Sequence, residues 1–61
     1  MMTRKDYVAT AEILNDFYLD MPIALEEHFD SMVNQFCAMF HEDNERFLAD
    51  KFIDACYKEA N

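Results

Sequence analysis

Cys37 and His41 stand four residues apart in the 61-residue chain, a spacing that sets two metal ligands side by side on one helix, and Cys56 and His28 could supply others. The set lacks a second paired motif, which a closed structural zinc site requires. Cys37 borders an apolar stretch and Cys56 lies within one, so both are read as small buried hydrophobes, and no metal is expected. A thiol enzyme needs a thiolate activated by a neighbouring base in an open cleft. Three short helices leave little room for one. The chain has no glycine for a phosphate-cradling loop, and its one serine, Ser31, sits on the polar side of a helical pattern. Catalytic residues and cofactors are accordingly expected to be none.

The charged residues suggest binding more than catalysis. Glu12, Asp16 and Asp20 recur every four residues, so on a helix they form an acidic ridge with a rise of about 6 Å between successive carboxylates. Solvation explains such a ridge in the ordinary case. It also resembles a run of phosphates, which makes acidic mimicry of DNA the alternative reading. Ile13 and Leu19 flank the ridge and Phe17 lies at the edge of the apolar stripe. Glu12, Ile13, Asp16, Phe17, Leu19 and Asp20 are therefore the candidate partner-binding residues. The basic residues read as few and dispersed. Arg46 with Asp50, and Asp54 with Lys58, stand at the spacing of weak solubilising pairs.

Three helices are needed to position these residues. Thr3 and Asp6 have the spacing of a capping box, and Tyr7, Ala11, Leu14, Tyr18 and Met21 then keep to one stripe, which Val8 and Phe17 widen. Pro22 lacks an amide hydrogen, so the first helix ends near it and a second begins. Leu25, Phe29, Met32, Val33, Phe36, Met39 and Phe40 share one face of that second helix, with Cys37 at its edge, and Glu26, Glu27 and Asp30 suit its positive end. The polar run His41 to Asn44 makes a connection, after which Leu48, Phe52, Ala55, Cys56 and Ala49 fall on a third face. Phe47 does not fit that face if the helix runs unbroken from Asn44.

Composition fixes the class. With no glycine and a single proline the chain is poorly suited to the turns of a β-sandwich or barrel, while six Phe, three Tyr and five Met exceed what a disordered acidic segment carries. The class is all-α: a small three-helix domain spanning residues 1–61, with helices at about 3–20, 22–41 and 45–59, the last starting near 48 if the chain turns at Phe47. A domain of this size buries only about 60 % of its unfolded surface, so a homodimer or another partner is expected to add stability. Thirteen acidic against five basic residues give a net charge of −8, which repels nucleic acid and favours a basic protein partner or one with an apolar groove. No stretch resembles a signal peptide and no apolar run is long enough to span a bilayer, so free thiols, a cytoplasmic location and no membrane contact are expected.

Thr3-Arg4-Lys5-Asp6-Tyr7 at one end, and Asp43-Asn44, Arg46-Phe47, Lys51-Phe52 and Ala55-Cys56 in order at the other, resemble a family of short uncharacterised proteins from bacteriophage genomes. That family begins with Thr/Ser-Arg-Lys-Asp-Tyr and ends with Asp-Asn-Pro-Arg-Phe, three residues, a basic residue, Phe, two residues and Ala-Cys. The motifs cover roughly a third of the chain. Glu45 replaces the family's proline, Leu48 replaces an aspartate suited to capping the last helix, and Tyr57 replaces a glycine. The resemblance implies a turn around Asn44 with Phe47 facing inward, a last helix starting near Leu48, and no enzymatic activity. The expected function is that of a non-enzymatic phage accessory protein, located in the host cell cytoplasm, that binds a host or phage protein and modulates it. A minor structural component of the virion is a further alternative.

Overall fold

The computed structural model describes residues 2–59. It contains α1 (Arg4–Asp20), a 3-10 turn (Ile23–Leu25), α2 (Glu26–Asp43) and α3 (Ala49–Cys56), joined without any strand among the described residues. The all-α, three-helix architecture expected from the sequence is the one observed.

Local chemistry sets each boundary. At the start of α1, Thr3 and Asp6 close a capping box, in which the Asp6 carboxylate accepts from the Thr3 amide at 2.9 Å and from its hydroxyl at 3.3 Å. The Met2 amide donates to the Asp43 carboxylate at 2.8 Å, tying the chain start to the end of α2. Helix α1 stops before Pro22, whose fixed φ leads into the 3-10 turn. The second helix was expected over 22–41, yet its α-helical part runs over Glu26–Asp43, because the first residues after Pro22 take the tighter 3-10 winding. Glu26 and Glu27 occupy its first turn, where the helix dipole favours them.

The third helix is shorter than the expected 45–59. Asn44 ends α2 in extended backbone, its side-chain oxygen accepts from the Arg46 amide at 3.0 Å, and its carbonyl accepts from the Phe47 amide at 2.9 Å. This Asn-centred turn delays α3 until Ala49 and swings Phe47 inward to 7 % exposure. At its other end α3 has no glycine cap. The Asn15 amide instead donates to the carbonyls of Cys56 and Lys58 at 3.0 and 2.8 Å, satisfying acceptors that a helix end leaves open. Arg46 thus precedes α3 and Lys58 follows it, so neither expected pair, Arg46 with Asp50 or Asp54 with Lys58, lies within one helix.

The core comprises Tyr7, Ala11 and Leu14 from α1, Phe29, Val33 and Phe40 from α2, Phe47 from the turn, and Phe52 and Cys56 from α3. Packing is closest between α1 and α3, with α1 and α2 touching over a shorter stretch. Several residues expected inside are outside as a result. Leu25 in the 3-10 turn, Met32 and Met39 on α2, and Val8 and Phe17 on α1 are exposed, because the eight-residue α3 covers only part of either long helix. Leu48 is exposed as well, since it precedes α3 and the face assigned to it starts only at Ala49.

Phe47→Ala is expected to cost about 3 kcal/mol, the loss typical of a buried aromatic ring, and Leu48→Ala less than about 0.5 kcal/mol. Urea titrations of both variants check this, and equal costs would place Phe47 outside the core.

Candidate functional site

Helices α1 and α2 touch over only a short stretch, and a groove of about 600 Å³ lies between them. Ile13 and Phe17 form its α1 wall, Met32 and Phe36 its α2 wall with Leu25 of the 3-10 turn beside them, and Leu14 and Phe29 reach its base from the core. Ile13 is 58 % and Phe17 66 % exposed, values that an apolar side chain in a finished core would not show. Asp20 and His28 also line the groove. The apolar residues converge because α3 inserts elsewhere, and the 3-10 turn carries the chain from one wall to the other.

The candidate residues on α1 are distributed unevenly around this groove. Ile13, Phe17 and Asp20 line it. Glu12 and Asp16 are exposed on the adjoining ridge and carry the acidic surface away from the groove. Leu19 is exposed but stands about 160° around the helix from Phe17, on the far flank of the ridge, so it belongs to a separate surface. Leu25 and Met32 were assigned to the core by periodicity and are groove residues instead. The signal available in the sequence was a surplus of large apolar residues on α2 relative to what a third helix of this length can cover.

Groups with chemical potential are held apart or protonated. His28 and His41 are thirteen residues apart on α2, about 20 Å along its axis. No cluster of three His, Cys, Asp or Glu side chains placed to hold a metal ion occurs among the described residues. Both cysteines are free thiols. Burial raises the Cys37 thiol above its ordinary range, and burial together with the nearby Cys37 pushes Cys56 up to about 11. The Tyr57 hydroxyl donates to the Asp30 carboxylate, and burial, that hydrogen bond and the carboxylate charge all raise its pKa. Tyr57 also packs edge-on against Tyr18 and Phe29, at ring centroid distances of 5.1 and 5.5 Å, a role that the sequence pattern did not signal. No helix among the described residues is long and apolar enough to cross a membrane.

Because Cys56 is protonated in the fold up to about 11 while an unfolded thiol ionises near 9.0, its contribution to stability is complete below pH 9 and declines as pH rises towards 11. Tyr57, also raised, acts in the same direction. Melting curves between pH 8 and 11 are expected to show a falling midpoint, with a shallower fall in Cys56→Ala. An unchanged slope in that variant would remove Cys56 as a cause. Comparison with protein-family models, curated proteins and solved structures finds no match to this chain.

Proposed function

We propose that the chain is a non-enzymatic accessory protein, of the phage type its terminal motifs resemble, that binds a host or phage protein in the host cytoplasm and modulates it through the groove between α1 and α2. The observation that carries this reading is the joint exposure of Ile13, Phe17, Leu25 and Met32 around one groove. Contiguous apolar surface of this kind is characteristic of interaction sites, and methionine adapts to the shape of an incoming side chain. Asp20 lines the groove and Glu12 and Asp16 continue the negative charge onto the adjoining ridge, so the partner suited to it is an amphipathic helix with apolar residues on one face and Lys or Arg on the flank that meets α1.

The same groove could seat a second copy of the chain. Each copy carries a charge of −8 and would bring its own acidic ridge to the contact, which favours a basic partner over self-association. DNA mimicry would place the affinity on the ridge alone and leave the groove without a part to play.

The reading is tested by affinity capture from an infected-host lysate with the wild type, Phe17→Asp, and a triple variant in which Glu12, Asp16 and Asp20 become Lys. Loss of a defined captured protein in Phe17→Asp, with weakened and salt-sensitive capture in the triple variant, is the expected pattern. Full capture by Phe17→Asp with none by the triple variant would replace groove docking with mimicry. Light scattering that gave a dimer disrupted by Phe17→Asp would make the groove a self-association surface.

A further inference from the structure

The basic residues that look dispersed in the sequence meet in the fold. Arg4 from the first turn of α1, Arg46 from the Asn44 turn and Lys51 from α3 all line one cleft, so three of the chain's five Lys and Arg share a single opening. None of the thirteen Asp and Glu lines it. Between the cations the surface is apolar and aromatic, with Tyr7, Val8, Phe47 and Phe52 among the lining residues. A surface shaped only for solubility intersperses both signs of charge, whereas the lining of this cleft carries three cations and no carboxylate in a strongly acidic chain. The Asn44 turn creates the arrangement, since it brings Arg46 and Phe47 beside the start of α1.

Size narrows the occupant. The cleft holds about 240 Å³, below the roughly 300 Å³ at which pockets for whole organic ligands begin, and suits one bulky side chain. We propose that it docks an acidic segment of a partner protein. One large apolar side chain seats between the exposed Val8 and Leu48, over the outer edges of the packed Tyr7, Phe47 and Phe52 rings, and carboxylates on either side of that anchor meet Arg4, Arg46 and Lys51. A buried anchor ringed by complementary charge is the usual division of labour at such contacts, the anchor giving affinity and the rim giving orientation and selectivity. The cleft shares no lining residue with the groove between α1 and α2, so the proposal stands or falls independently of groove docking.

The probe is the blocked peptide Asp-Asp-Phe-Glu-Glu, titrated into the full chain and followed by amide chemical shifts. Saturable shifts at Val8, Arg46, Leu48 and Ala55 are expected. Affinity should fall about tenfold or more when Phe in the peptide becomes Ala, and again when Arg46→Glu and Lys51→Glu are combined. Lys-Lys-Phe-Lys-Lys should bind that double variant better than it binds the wild type. Lys51→Gln, a single change at an exposed site, supplies a milder loss if the double variant does not fold. Equal affinity for acidic and basic peptides, shifts centred on Ile13 and Phe17, or no saturation at millimolar peptide would overturn the proposal. So would peptide-free shifts that grow with protein concentration and vanish in Ile23→Asp, since the occupant would then be the acidic, Ile23-bearing tip of a second copy.

Discussion

Tyr7, Phe40, Phe47 and Phe52 form a cluster of rings whose observed contacts have centroid separations of 4.8 to 5.6 Å, and each comes from a different segment: α1, α2, the turn and α3. Most of these contacts are edge-on, the arrangement in which the positive rim of one ring meets the negative face of another, and each is worth about 0.5 to 1.5 kcal/mol beyond its buried area. For a chain with no disulfide and a short third helix this cluster is the junction on which everything else depends. Its burial has a cost. The Tyr7 hydroxyl is enclosed without a hydrogen-bond partner among the described residues, a polar group given up so that the ring can sit between Phe40 and Phe47.

The same economy explains the exposed surfaces. An eight-residue α3 cannot cover the apolar faces of helices of seventeen and eighteen residues, and it packs mainly on α1. Much of the uncovered remainder lies between α1 and α2, in one groove that Asp20 also lines. At the other side of the ring cluster the turn that buries Phe47 also gathers Arg46, Arg4 and Lys51. Two apolar-lined surfaces, one with a carboxylate at its edge and one with three cations, thus arise from one packing solution, the first from what α3 leaves bare and the second from how the chain enters α3.

Periodicity located the helices well because apolar spacing in α1 and α2 is long and regular, and Tyr7, Ala11, Leu14, Phe29, Val33 and Phe40 were all legible as core. It could not show how much of each stripe would be covered. That depends on the length of α3, which hydrogen bonds from Asn44 at one end and Asn15 at the other determine, and the Asn15 bonds reach across 41 and 43 residues. Leu25, Met32, Met39 and Leu48 were placed inside for that reason. Of the candidate site, Ile13, Phe17 and Asp20 came together in the groove, and Leu19 did not. The convergence of Arg4 with Arg46 and Lys51 was invisible because Arg4 stands more than forty positions from either.

The Asn44 turn delivers Phe47 onto Tyr7 and so joins the start of α1 to the entry of α3. A two-dimensional nuclear Overhauser spectrum of the protein in solution tests it most directly. Cross-peaks between the ring protons of Tyr7 and Phe47 are the predicted result, given the 4.8 Å between their centroids. Their absence, together with sequential amide contacts running unbroken from Asn44 to Cys56, would mean one continuous helix with Phe47 in solvent and no ring junction.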